Sequence, residues 1–133
     1  MPKYLLDSNT LIYSFKNIGR VRERLLAQSA NDVVLCTPVI WEILSGTLKS
    51  ERPQGQLESL KLIQQRYAML DFDAASMREA ANVRATLEKA GQPIGTIDTL
   101  IAGIALAHKL TVVTHNTSEF SRVPGLQVED WYA

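Results

Sequence analysis

The stretch Lys3-Tyr4-Leu5-Leu6-Asp7-Ser8-Asn9 places a short apolar run directly before an acid and two further side chains that carry oxygen. Comparable short apolar runs recur later in the chain, at Val33–Cys36, Ala68–Asp71 and Leu110–Thr114. Their length and polar flanks are typical of buried strands and not of long helices. A further extended piece is predicted around Leu126–Glu129. The opening stretch is therefore interpreted as a first strand with polar side chains at its carboxyl end.

Helical patterns, with apolar residues recurring at three- and four-residue steps, separate these runs. They cover Thr10–Phe15, Val21–Ser29, Val39–Ser50, Gln56–Tyr67, Ala74–Ala90 and Ile97–His108. Alternation of strand and helix predicts the α/β class, with a parallel sheet covered by helices. In such sheets ligands bind beyond the carboxyl ends of the strands. The residues that follow each predicted strand are therefore the first candidates for function.

Size and composition indicate an ordinary globular protein. With 133 residues, 46% of them hydrophobic, the chain is expected to form a single domain over residues 1–133. One cysteine, Cys36, allows neither an internal disulfide nor a multi-cysteine zinc site. An acid at position 7 and the lack of a long apolar stretch argue against a signal peptide and a membrane span. We expect a soluble, cytoplasmic protein that does not associate with a membrane.

Charge balance places a condition on any binding to nucleic acid. Lys plus Arg and Asp plus Glu each number 14, so the formal net charge is zero. An attraction to phosphate must then come from a local patch of basic residues. The candidates, about half of which are expected to be ordinary solvated residues, are Lys16, Arg20, Arg22, Arg24, Lys49 and Arg52.

Two acids follow the first two predicted strands. Asp7 comes directly after the first strand, but an aspartate there also fits the N-cap of the next helix. Glu42 lies in the opening turns of a helix for which Thr37 is predicted as the cap and Pro38 as the first residue. The apolar neighbours of Glu42 favour a functional role for it. A glutamate on a solvated helix face is an equally good interpretation.

Three more candidates lie late in the chain. Asp98 opens the apolar helix Ile97–His108, where an acid near the positive end of the helix dipole needs no other explanation. Asn116 and Glu119 follow the strand Leu110–Thr114, and their spacing also fits a capping box.

These carboxylates would meet at one edge of the proposed sheet. Their mutual repulsion would destabilise the fold unless a cation neutralised it. Mg²⁺ or Mn²⁺ fits an all-oxygen set that has no histidine or cysteine partner. The sequence therefore predicts a divalent-cation site there.

The same residues carry a family resemblance along the whole chain. Leu5–Asn9, Trp41-Glu42, Asp98 and the segment Thr114–Phe120 resemble PIN-domain nucleases in order and spacing. More narrowly, Gly91–Asp98 and the ending Val123–Trp131 look like VapC toxins of bacterial toxin–antitoxin pairs.

The resemblance implies a PIN-like three-layer α/β/α sandwich around a mainly parallel sheet. It implies a Mg²⁺-dependent endoribonuclease toxin, with Mn²⁺ as a possible substitute, that cleaves initiator tRNA in its anticodon stem-loop. It also implies homodimerisation and inhibition by a cognate VapB antitoxin, with DNA bound only through that antitoxin. Hydrolysis by an activated water would leave a 5′-phosphate and a 3′-hydroxyl.

By position, the resemblance assigns the three chief acids to Asp7, Glu42 and Asp98, with Asp7 and Asp98 as the direct metal ligands. Many PIN domains carry aspartate where this chain has Asn116, so the fourth catalytic role either weakens to the amide of Asn116 or passes to Glu119. Of these two alternatives, we favour Glu119. Three supporting polar groups complete the predicted site, namely Asn9, Thr114 and Asn116.

Three other interpretations remain open. The chain could be a PIN-domain ribonuclease with another substrate, such as mRNA or rRNA. It could keep the fold but serve as a non-catalytic scaffold that binds RNA or a partner, which retention of the three chief acids disfavours. A phospho-receiver domain also places acids at strand ends, but it requires a lysine beyond a late strand, where this chain has Thr114-His115-Asn116.

Overall fold

A computed structural model describes all 133 residues and contains five strands and seven α-helices. The strands are β1 (Tyr4–Leu6), β2 (Val33–Cys36), β3 (Ala68–Leu70), β4 (Thr111–Val113) and β5 (Gln127–Glu129). The helices are α1 (Ser8–Lys16), α2 (Val21–Ala27), α3 (Thr37–Lys49), α4 (Gln54–Arg66), α5 (Ala74–Lys89), α6 (Thr96–His108) and α7 (Thr117–Phe120). No helix is both long and apolar enough to span a membrane.

The strands form one sheet in the order β3-β2-β1-β4-β5, and every neighbouring pair is parallel. β1 lies at the centre, where Leu5 is in register with Val34 on one side and Val112 on the other. Because all strands run the same way, their carboxyl ends meet at a single edge. The predicted α/β sandwich with a parallel sheet is confirmed.

Burial separates the central strands from the outer ones. Leu5, Leu6 and Val113 are fully buried, whereas Ala68 and Met69 of β3 are exposed. The prediction of a buried strand at Ala68–Asp71 was therefore wrong about its burial. β3 has one neighbour only, and an edge strand receives less cover than a central one.

Most helix boundaries lie within two residues of their predicted positions, and the differences have local causes. α3 begins at Thr37 and not after it, with Cys36 at the cap position and no side-chain cap. The Thr37 hydroxyl instead accepts a hydrogen bond from the Phe72 N–H at 3.3 Å. α7 was not predicted, because four residues are too few to show a helical period.

The crossing of α5 and α6 fixes the helix that carries Asp98. A Cβ at Gly103 would lie 2.6 Å from both the Ala80 Cβ and the Ser76 carbonyl oxygen. Since real Cβ atoms do not approach so closely, only glycine allows the two helix backbones to pack at this distance.

Candidate active site

Asp7 and Thr114 meet where the two central strands end. β1 and β4 are neighbours, so the residues that follow them lie side by side. The Thr114 hydroxyl donates to Asp7 Oδ2 at 2.5 Å, and the Thr10 N–H donates to Asp7 Oδ1 at 2.9 Å. Asp7 therefore caps α1 and also faces the edge of the sheet, so its two predicted roles do not exclude each other.

Asp7 is only 4% exposed, and this burial has the largest effect on the pKa of its carboxyl. Loss of solvent raises the pKa of this carboxyl, and the charge of Glu42 raises it further. Hydrogen bonds from Thr114 and Thr10 oppose the rise without cancelling it. Asp7 is thus held firmly in place but lacks a positive charge that would balance it.

Asp98 is the residue on which the three other predicted acids act. Its pKa is raised to about 7, first by burial and then by a hydrogen bond with Glu119. The negative charges of Asp7, Glu119 and Glu42 raise it further. The fold has therefore brought the four acids within electrostatic reach of one another, although they come from four separate segments of the chain.

Asn116 and Glu119 interact differently from the predicted capping box. The Asn116 side-chain amide donates to Glu119 Oε2 at 3.0 Å, and α7 has no side-chain cap. The Asn116 N–H, which a capping box would pair with Glu119, donates instead to the Thr114 hydroxyl at 2.9 Å. The capping-box alternative was wrong because Thr114 occupies that donor. Glu119 is left to face Asp98.

The other predicted site residues, Glu42 and Asn9, are exposed. Glu42 is exposed on α3, makes no side-chain hydrogen bond, and affects the pKa of Asp7 and Asp98 through its charge. Asn9 is exposed in the first turn of α1, and its side chain is also without a hydrogen bond. Beside it, the buried Ser8 hydroxyl has no partner. These groups are available to a ligand that enters the site.

The fit to a divalent cation follows from the chemistry of these groups. No three acidic, histidine or cysteine side chains lie close enough together to ligate one ion directly. Mg²⁺, however, keeps several of its waters and usually takes only one or two carboxylates. No lysine, arginine or histidine forms an ion pair with Asp7, Glu42, Asp98 or Glu119. The four acids therefore lack a balancing charge, and the site fits such a cation.

The basic candidates divide into engaged and available residues. Arg20 pairs with Glu23 at 2.9 Å, and the Arg22 guanidinium donates to the carbonyls of Ser14 and Phe15 at the end of α1. Both therefore serve a local structural role. The Nε atom of Arg24 is buried without a hydrogen-bond partner. Lys16, Lys49 and Arg52 are exposed, form no ion pair, and are the available residues.

Sequence reasoning missed the chain segment that follows β5. Because β5 lies beside β4, Asp130 and Tyr132 come alongside His115 at the rim of the site. The short extended run at Leu126–Glu129 was the signal that could have indicated this, had its place next to β4 been known.

Comparisons with known proteins agree with this geometry. Residues 4–126 match the PIN domain family. The chain is 38% identical over 134 aligned positions to a tRNA(fMet)-specific endonuclease VapC of Shigella flexneri, covering 98% of this chain and 99% of that protein. It is 35% identical to the protein of the same name from Salmonella typhimurium, with 98% and 99% coverage.

Among solved structures, the crystal structure of DNA-bound VapBC from Salmonella typhimurium superposes with a TM-score of 0.91 at 35% identity. That match covers 98% of this chain and 99% of the other. The chain therefore belongs to the PIN-domain family and, within it, to the VapC ribonucleases, which are toxins and metal-dependent endonucleases.

Proposed function

We propose that this ribonuclease holds Mg²⁺ through Asp7 and Asp98 and cleaves initiator tRNA in the anticodon stem-loop. Glu42 and Glu119 complete the catalytic acids, and Asn9, Thr114 and Asn116 support them. The observation that carries the proposal is the gathering of Asp7, Glu42, Asp98 and Glu119 at one edge of the sheet, where burial and the neighbouring acids raise the pKa of Asp98. Such a shift, at the edge where a parallel sheet binds ligands, is typical of a functional site.

The chain's own residues have distinct proposed tasks. Asp7 keeps one orientation, because Thr10 and Thr114 each bind one of its oxygens. Asp98 and Glu119 share a hydrogen bond that a cation would replace, since both would then be ionised. When bound, the cation supplies positive charge for the phosphodiester oxygens and promotes ionisation of a water nucleophile. Asn116 keeps Glu119 in place through its amide.

The proposed substrate comes from the relatives. Two full-length relatives are named for cleavage of tRNA(fMet). A chain with no net charge and a cluster of acids needs basic side chains beyond that cluster to bind phosphate. We assign this task to Lys16, Lys49 and Arg52. Messenger RNA or ribosomal RNA is the alternative substrate, while the clustered acids disfavour a non-catalytic scaffold.

Partners are proposed on the same basis. The solved relative from Salmonella typhimurium is a VapBC complex bound to DNA. We propose that this chain is a toxin that pairs with a VapB antitoxin, forms a homodimer, and meets DNA only through the antitoxin. It acts in the cytoplasm as one domain over residues 1–133.

The test is to sequence the 5′ ends of RNA after brief expression of the chain, with Asp7→Asn as the control. We expect new 5′ ends within the anticodon stem-loop of initiator tRNA that are absent in the control. The purified chain should reproduce the cut with Mg²⁺ and lose it on chelation. Cuts confined to other RNAs would contradict the proposed substrate, and equal cutting by Asp7→Asn would contradict the site.

A further inference from the structure

Three aromatic rings form a ledge beside the acids. His115 stacks on Tyr132 with ring centroids 4.1 Å apart and an angle of 17° between the planes. Tyr13 packs edge-on against both, at 6.1 Å from His115 and 5.6 Å from Tyr132. We call Tyr13, His115 and Tyr132 the aromatic ledge.

Polar contacts hold the ledge in a fixed arrangement. Asp130 Oδ2 pairs with His115 Nδ1 at 2.9 Å, and Asp130 Oδ1 accepts the Tyr132 N–H at 2.9 Å. The Tyr132 carbonyl accepts the Arg20 N–H at 2.8 Å. At Gly19, where φ is +61°, a Cβ would lie 2.7 Å from that carbonyl oxygen. The C-terminal residues Asp130 and Tyr132 are thus held by contacts with two segments that are distant along the chain, one at His115 and the other at Gly19-Arg20.

The ledge is not part of the hydrophobic core. Tyr13 and Tyr132 are only partly buried, and the His115 side chain is 46% exposed. Tyr132 covers one face of the imidazole, and no other aromatic ring stacks on the opposite face. Rings that are fixed but partly exposed provide a surface on which another flat group can stack.

The ledge borders the acids along two elements. His115 directly follows Thr114, whose hydroxyl binds Asp7. Tyr13 lies four residues after Asn9, so both occupy one face of α1, one helical turn of ~5.4 Å apart.

We propose that the aromatic ledge stacks a nucleobase next to the scissile phosphodiester and so positions the RNA for cleavage. This inference rests on the proposed RNA substrate. The acids repel phosphate and the chain carries no net charge, so contacts to a base would add to the binding that Lys16, Lys49 and Arg52 supply to the RNA backbone. Aromatic stacking suits this task because every base has a π-face.

The test compares ledge variants on the isolated anticodon stem-loop of initiator tRNA and on stem-loops with an abasic site at each loop position. His115→Ala and Tyr132→Leu should each raise KM about 5- to 100-fold, with the loss in KM and not in kcat. His115→Phe and Tyr132→Phe retain a ring, so they should recover most of the affinity. His108→Ala is the matched control: this half-exposed histidine also pairs with an aspartate, at 3.1 Å, but stands away from the ledge.

The abasic stem-loops locate the contact. The wild type should bind one abasic stem-loop as weakly as His115→Ala binds the intact stem-loop. His115→Ala should then bind that abasic stem-loop hardly more weakly than the wild type does. The proposal would be overturned if every abasic position weakened binding by His115→Ala to the same extent. It would also be overturned if His115→Phe and Tyr132→Phe lost as much affinity as His115→Ala and Tyr132→Leu. If the wild type cuts another RNA and not this stem-loop, the substrate proposal fails. The same variants are then compared on an oligonucleotide that spans the observed cut, where an unchanged KM would overturn the ledge.

Discussion

Two aspartates cap helices in nearly the same way, yet their surroundings differ. Asp7 at the start of α1 has φ −81° and ψ 175°, and accepts the N–H three residues on at 2.9 Å. Asp73 at the start of α5 has φ −84° and ψ −179°, and accepts the corresponding N–H at 2.8 Å. The pKa of Asp7 is raised by burial, whereas hydrogen bonds from Ser76 lower the pKa of Asp73, with a smaller contribution from His108.

The difference shows that a cap motif by itself does not report function. Asp7 follows the central strand of a parallel sheet and is surrounded by segments that bring further acids. Asp73 follows the edge strand β3, lies on the surface, and has a basic partner in His108. Position in the sheet therefore separates a candidate catalytic carboxylate from a structural one.

The largest expected effect comes from the same substitution at both positions. Asp7→Asn keeps an oxygen that can cap α1 but removes the charge proposed to hold the cation. We expect RNA cleavage to fall at least about a hundredfold, on the scale seen when one preorganised electrostatic group is lost. Asp73→Asn should leave the cleavage rate unchanged. Single-turnover cleavage with Mg²⁺ checks both, and a comparable loss at Asp73 would refute the distinction.

A smaller effect is expected when the partner of each aspartate is removed. Thr114→Val preserves shape, but it leaves the buried Asp7 carboxyl and the partly buried Asn116 N–H without a hydroxyl partner. The free energy of unfolding should fall by about 1–3 kcal/mol. His108→Ala removes an exposed partner of Asp73 and should change it by less than about 0.5 kcal/mol. Urea denaturation measures both, and similar values would mean that burial does not distinguish the two caps.

The remaining effects concern the pH dependence of stability, with opposite signs at Asp98 and Asp73. In EDTA, folded Asp98 has a pKa of about 7 against an ordinary 3.8, so the folded state binds a proton that the unfolded state has released. Its contribution to stability is full below pH 4 and is lost as pH rises towards 7. The pKa of Asp73 is lowered from 3.8, so its contribution is present above that value and is lost on further acidification.

Denaturation at several pH values tests this contrast. Relative to the wild type, Asp98→Asn should gain stability as pH rises from 4 to 7, because the ionised carboxyl is no longer forced into the cluster. Asp73→Asn should be the less stable protein at pH 7 and approach the wild type below pH 4. Parallel pH profiles for the two variants would show that the acids around Asp98 do not act on it.

Much of the fold could be predicted from local patterns. Apolar runs located the strands, and three- to four-residue periods located six of the seven helices. What failed depended on neighbours in space: exposure of Ala68 and Met69 follows from the edge position of β3, and the Thr37 hydroxyl binds Phe72, which is far along the chain.

The candidate site likewise contains features that the sequence could predict and features that it could not. Asp7 and Asp98 could be selected because strand ends of a parallel sheet and the start of an apolar helix are recognisable in sequence. The hydrogen bond between Asp98 and Glu119 and the stacking of His115 on Tyr132 could not, since they depend on the orientations of side chains from separate segments. Sequence therefore indicated which residues gather, while the contacts among them required the folded structure.

The position of β4 between β1 and β5 has a consequence for biosynthesis. A nascent chain on the ribosome presents Asp7 early, but Thr114 and Glu119 are added only after most of the chain has been made. Until β4 is inserted, β1 lacks one neighbour and Asp7 lacks its hydroxyl partner. An unfinished polypeptide, or one cut short before residue 114, would thus lack Glu119 and the hydroxyl that orients Asp7, and its acid cluster would be incomplete.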